Sequence, residues 1–212
     1  MAEDVSALPL SDLTIDAETR PPLPDMGDVT EAQRQAGRHL AAIHRHYLSD
    51  LSQIAQVMTR IEAGDAPPAE LAHIVLHSQM AQNFAAAGTL CGQQCWALTM
   101  HHNIEEQSIF PQLHARGSEP VRAIVDRLRA EHEVVHALLE RLGAAAGGLT
   151  EAPSSEQFAE TRAIFDQLVA VVRSHFKFEE TALAEAIGRL SGRHLRHRPA
   201  AISVSSPPLP AP

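Results

Sequence analysis

Apolar residues recur along this chain at steps of three and four, the spacing of a helix face at about 100° per residue. They sort into four long stretches. The first begins near Asp28 or Thr30, where Thr30 with Gln33 forms a capping box, and stops at Gly64-Asp65-Ala66-Pro67-Pro68. The second begins after Pro68, has a possible interruption around Ser78 to Gly88, and runs through Trp96 to about Pro111 or His114. The third opens at Ser118, with Pro120 tolerated in its first turn, and closes at Leu142-Gly143. A Gly/Ala/Pro loop follows. Ser154 with Gln157 caps the fourth, which continues to about Gly188. No strand-like alternation of usable length occurs, so the expectation is an all-α chain: an up-down-up-down four-helix bundle over 28–190. Residues 1–27 read as a flexible leader rich in Pro, Asp, Ser and Thr, and 191–212 as a flexible tail, first basic and then Pro-rich.

Polar residues interrupt these apolar stripes, and they are of one chemical kind. On the fourth helix Ile164, Leu168, Val171, Val172, Phe178, Ala182, Ala186 and Leu190 define the stripe, and His175 and Glu179 project inside it. An ionised carboxylate in an apolar setting costs several kcal/mol unless a partner or a metal compensates. On the first helix Leu40, Ile43, Tyr47, Leu51, Ile54, Met58 and Ile61 form the face; His44 lies within it, while His39 and His46 point away. The second helix carries Cys91, Cys95, Leu98 and Ile109, and its stripe passes through His101-His102-Asn103-Ile104-Glu105-Glu106. His102 and Glu105 fall nearest its centre, with His101 and Glu106 at opposite margins. Either His101 with Glu105 or His102 with Glu106 makes an i, i+4 pair able to reach one metal. The third helix has Ile124, Leu128, Val135, Leu139 and Leu142 on its face, with His132 among them, His136 at the edge, and Glu131 and Glu133 toward solvent or backing the ligands. Taken singly, a stripe histidine is most simply a hydrogen-bonded core residue. Four helices that each turn an imidazole inward, two of them with a carboxylate, point to a shared metal site.

Composition agrees. Thirteen His outnumber the aromatics Phe, Tyr and Trp combined, and neutral imidazole is the commonest protein metal ligand. A net charge of −9 argues against a nucleic-acid partner for the body of the protein. No apolar run approaches the ~20 residues of a membrane span and no basic-then-apolar signal opens the chain, so a cytoplasmic protein without a membrane partner is expected. Cys91 and Cys95 share a helix face unsuited to a disulfide; they read as two buried thiols in a reducing compartment or, alternatively, as a redox-active pair. The run Arg193-His194-Leu195-Arg196-His197-Arg198 reads as a solvated terminus, or as a weak attraction to an acidic surface. No phosphate-binding, nucleotide-binding or acyl-transfer motif is present.

The segments His101-His102-x-x-Glu105-Glu106-x-x-Ile109-Phe110-Pro111, Glu131-His132 and His175-Phe176-x-Phe178-Glu179-Glu180 together resemble the hemerythrin-like domain with HHE cation-binding motifs. The resemblance covers about Asp28 to Leu190. It implies a four-helix bundle around a non-haem di-iron centre bridged by carboxylates. His44 then matches the first-helix ligand, His101 with Glu105 the second, His132 with His136 the third, and His175 with Glu179 the fourth. His102 stands where some members carry an additional carboxylate, and its coordination, like that of Glu106, stays open. Glu179 stands where the oxygen carriers place an Asp one residue further on, and the chain extends beyond those compact proteins at both ends, which points away from simple oxygen transport.

Imidazoles with hard carboxylates suit Fe, with Zn or Mn as alternatives. The expected function is a di-iron protein that binds O₂ or NO, or senses iron or redox state. The alternatives are a di-iron oxidoreductase acting on peroxide or NO, and a zinc bundle that serves a structural or partner-binding role.

Overall fold

The computed structural model describes residues 5–66, 92–151 and 154–196. These residues form helices and connecting turns, with no strand among them. Five α-helices appear in chain order: α1 (Glu31–Glu62), α2 (Gly92–Ile104), α3 (Phe110–Arg116), α4 (Glu119–Glu151) and α5 (Ser155–Arg196). A π-helical turn, Glu105–Ile109, joins α2 to α3. The expected start of the second helix after Pro68 and its interruption lie outside the described residues. So do Cys91, the side chain of Cys95 and the segment 197–212.

Local chemistry sets the ends of these helices. Thr30 Oγ1 accepts from the Gln33 backbone N–H at 3.3 Å while Gln33 Oε1 accepts from Thr30 N–H at 2.9 Å, so two otherwise orphaned donors open α1 reciprocally. Gly64, at φ 77, closes it in the left-handed conformation that an L side chain avoids. Ser154 caps α5 through its hydroxyl, which accepts from Gln157 N–H at 3.2 Å.

Two helices run past their expected ends. α4 continues through Gly143, Gly147 and Gly148 to Glu151. The alanines between these glycines favour helix, and Leu149 still finds the core, at 2 % exposure. α5 passes Gly188 and reaches Arg196. Gly188 is no terminator here: a β-carbon on it would lie 2.1 Å from the Gln33 carbonyl oxygen, so the bare glycine lets α5 pass close to the first turn of α1.

Two pairings run antiparallel among the described residues. The start of α1 meets the end of α5 at Gly188, while Glu62 near its end pairs with Arg162 at the start of α5. The segment α2–α3 runs against α4, with His102 beside His136, Glu106 beside Arg129, and His114 beside Asp126. α5 packs on both α1 and α4, which explains why it is buried on more than one side and why Phe176, off the expected stripe, is 1 % exposed.

The apolar core is divided in two. One cluster, with Leu51, Met58, Leu98, Leu138, Phe165 and Leu168, occupies one end of the bundle. A second, with Phe110, Leu113, Ile124, Leu128 and Leu183, fills the other. Between them lies a layer of buried polar side chains.

The expected flexible leader differs from the structure. From Val5 onward it forms three short 3-10 turns and lies as a strap along the bundle. Leu13 is fully buried in the first apolar cluster, and its carbonyl accepts from Gln167 Nε2 at 2.9 Å. Arg141 donates to the Ser6 and Leu8 carbonyls, Arg127 to that of Asp16, and Arg189 to that of Met26. Such docking rests on a few anchors from α4 and α5, which is why it leaves no period in the sequence.

Truncating Leu13 to Ala should therefore cost about 2–5 kcal/mol of unfolding free energy, as for a buried core leucine. A loose leader would show no change in chemical denaturation. Gly188→Ala should destabilise by about 1–3 kcal/mol, since backbone at Gln33 must move to admit the methyl group; an unchanged denaturation midpoint would show that α1 and α5 do not approach this closely.

Candidate metal centre

The polar layer holds His44 from α1, His101 and His102 from α2, Glu105 from the π turn, His132 from α4, and His175 and Glu179 from α5; all are buried. Their donor atoms fall into two groups, one of His102, His132 and His175, the other of His44, His101, Glu105 and Glu179, each with its ligand atoms within 4.8 Å of one another.

The carboxylates lie between these groups. Glu105 Oε1 is 3.2 Å from His101 Nε2, while its Oε2 is 3.5 Å from His132 Nε2. Glu179 Oε2 lies 3.4 Å from His44 Nε2 and 3.8 Å from His175 Nε2. Each carboxylate therefore faces an imidazole of both groups.

The π turn helps to arrange this. Phe110 N–H bonds back to the Glu105 carbonyl, one residue further than in an α-helix. Pro111 supplies the reason: it has no N–H for the carbonyl four residues earlier, and its ring crowds that position. The wider turn leaves Glu105 inside the bundle and directs Glu106 toward α4. His101 and His102, consecutive on α2, enter different groups.

Outer contacts hold four of the imidazoles. Glu180 Oε1 is 2.9 Å from His44 Nδ1, Glu106 Oε1 is 2.9 Å from His132 Nδ1, and Glu131 Oε2 is 3.1 Å from His175 Nδ1. His102 Nδ1 meets His136 Nε2 at 3.2 Å. A carboxylate at Nδ1 holds the proton there and leaves the Nε2 lone pair directed into the layer. Ring contacts add to this, with Phe176 stacked on His44 at 3.8 Å and Phe110 stacked parallel to His132 at 5.4 Å between centroids.

His136 is therefore placed apart from the other seven sequence candidates. It is half-buried at the edge of α4 and meets the Nδ1 side of His102, away from the Nε2 that faces the layer. Glu131, read as solvent-facing or as a backing group, is buried and backs His175. Glu106 and Glu180 were not singled out as backing groups; the signal available was the doubled Glu-Glu of each motif, one residue turning inward and the next bracing an imidazole on a neighbouring helix.

A cation fits this layer on its own chemistry. Among the described residues, eight buried side-chain polar atoms lack a hydrogen-bond partner, and seven belong to this layer: Nε2 of His102, His132 and His175 and both oxygens of Glu105 and Glu179. Buried polar atoms are rarely left so, and atoms concentrated in one place indicate a missing shared partner. His44 Nε2 and His101 Nε2 face each other at 3.0 Å, about the separation of adjacent donors around a metal held at ~2.1 Å.

Electrostatics point the same way. Burial pushes His44 down to about 2, and His101 and His175 to about 4, and it holds His102 well below its ordinary value, so these imidazoles are neutral and ready to coordinate. Burial drives Glu105 well above the usual carboxylate range, with the Glu179 charge adding, and lifts Glu179 to about 7. For Glu131 burial is outweighed by hydrogen bonds from His175, Arg20 and Arg127, which hold it at about 2.

A family model, the hemerythrin HHE cation binding domain, matches residues 35–187, well over half of the chain. The chain belongs to the hemerythrin HHE cation-binding family. The matched range contains every residue of both donor groups but leaves out the strap. No curated protein and no solved structure matches the chain. Among the described residues, no helix is long and apolar enough to cross a membrane.

The lowered imidazoles fix the sign of a pH effect. His44, His101, His102, His136 and His175 charge in the unfolded chain near 6.5 but only at lower pH when folded, so acidification below about 6.5 favours unfolding. Glu106 and Glu131, lowered from 4.5, add to this loss at still lower pH. Glu105, Glu179 and Glu180 are raised from 4.5 and act oppositely, gaining stability as pH falls, but they are outnumbered. The melting temperature of metal-free protein should therefore drop between pH 6.5 and 4. A flat or rising profile would contradict a layer of neutral imidazoles.

Proposed function

We propose that this protein is a non-haem di-iron protein whose centre binds O₂ or NO, or senses iron or redox state. The observation carrying this reading is the position of Glu105 and Glu179, each facing an imidazole of both donor groups. Two carboxylates so placed suit a pair of cations that share them, with His102, His132 and His175 completing one side and His44 and His101 the other. Hard oxygens with imidazoles, and no thiolate in either group, favour iron over soft metals while leaving Zn and Mn as competitors. Bound iron would supply one-electron redox chemistry and an exchangeable position for a diatomic ligand.

The chain's own residues do the rest. Glu106, Glu131 and Glu180 orient three imidazoles, and the phenyl rings of Phe110 and Phe176 keep water away from the layer. Glu105 and Glu179 would offset part of the charge of bound cations in this apolar surround. The antiparallel contacts support an up-down-up-down order for the four rods, α1, α2–α3, α4 and α5. We place the protein in the cytoplasm, with a small molecule as its primary partner rather than nucleic acid or membrane.

Freshly purified protein should contain two iron atoms per chain, with absorption bands that change on exposure to O₂ or NO. Stoichiometric zinc alone would reject this reading, and steady turnover of peroxide or NO would move the assignment to an oxidoreductase. Glu179→Ala should lower iron occupancy and melting temperature together, because bound metal stabilises only the folded bundle. Full occupancy in that variant would remove Glu179 from the ligand set.

A further inference from the structure

The strap that lies along α4 and α5 does more than cover apolar surface. Midway along it, Arg20 reaches Glu131 with a two-pronged contact, Nε to Oε1 at 2.8 Å and Nη2 to Oε2 at 3.0 Å. The same Oε2 meets His175 Nδ1 at 3.1 Å, and His175 Nε2 is one of the unpartnered donors of the metal layer. A continuous chain of contacts thus runs from the strap to the centre through one carboxylate.

This carboxylate differs from its counterparts. The side chains of Glu106 and Glu180, which back His132 and His44, are about one-third exposed, at 30 % and 35 %. That of Glu131 is 2 % exposed, and the strap contributes to its surroundings. Arg127 also donates to Glu131 Oε1, at 2.9 Å, and uses its Nη2 to hold the strap carbonyl of Asp16 at 2.7 Å. The Arg20 guanidinium lies over the Phe178 ring at 4.5 Å, which fixes its plane between the carboxylate and α5. A planar fork paired with both carboxylate oxygens restricts rotation of that carboxylate as a single point charge would not.

We infer that Arg20 is a positioning residue for the metal centre: through Glu131 it sets the orientation of His175, so docking of the strap and metal loading reinforce one another. This rests on the metal-binding reading above. Coupling of this kind is reciprocal. If the docked strap tightens metal binding, bound metal must hold the strap to the same degree.

Two measurements on the full chain test the inference. In the first, Fe(II) and Zn(II) are titrated against a competing chelator with wild type, Arg20→Ala, Arg20→Lys and Arg162→Ala, the last breaking an ion pair remote from the centre. Arg20→Ala should weaken the affinity for one of two ions by about 10- to 100-fold, as for loss of an outer contact to a ligand histidine. Arg20→Lys should recover only part of this, and Arg162→Ala should bind as wild type. In the second, limited proteolysis of wild type within residues 5–27 should slow when metal is added. This arm does not depend on any variant folding. Equal affinities in wild type and Arg20→Ala, or equal cleavage rates with and without metal, would overturn the coupling while leaving the di-metal reading intact. A wild-type chain that binds neither metal would instead overturn that reading, and the coupling with it.

Discussion

Two carboxylates buried between two apolar clusters constrain everything else in this molecule. Glu105 and Glu179 have no hydrogen-bond partner for any of their four oxygens, in surroundings where an uncompensated charge costs several kcal/mol. The surrounding features follow from that demand. Imidazoles from four helices surround the pair, and other carboxylates behind three of those imidazoles hold them in orientation. Aromatic rings then close the layer against solvent. A bundle without a cation could relieve the burial only by keeping these acids protonated, which burial already encourages by raising them.

The division of the core follows from the same constraint. A domain usually has one contiguous apolar core, whereas the described residues form a cluster around Phe165 and Leu168 and another around Phe110 and Leu128. The polar layer separates them at mid-height. Rigidity there comes from the helix rods and from α5, which packs on both α1 and α4 and supplies His175 and Glu179 one turn apart. The candidate metal donors and the packing of α5 consequently involve the same few residues.

Much of this was legible in the sequence because helical periodicity makes an intruding polar residue visible. His44, His101, His102, Glu105, His132, His175 and Glu179 all interrupt or border apolar stripes, and all seven converge. His136 shows the limit of the method. An edge position i+4 from His132 can face the same layer or stand behind another imidazole, and here His136 stands beside His102. The π turn was equally hidden, since its cause, Pro111, looked like a helix end rather than a register shift. Gly188 is ambiguous for a related reason: glycine can end a helix or admit a close neighbour, and only its packing partner, the Gln33 backbone, distinguishes the two. The strap left no trace because a segment lying in a groove needs anchors such as Leu13 and Arg20, not a repeat.

The strap also imposes an order of events during biosynthesis. Arg20 leaves the ribosome 111 residues ahead of Glu131, and Leu13 is 154 residues ahead of Gln167. The groove that receives these residues does not exist until α4 and much of α5 have been made. A segment made before its groove can therefore dock only once that groove has formed.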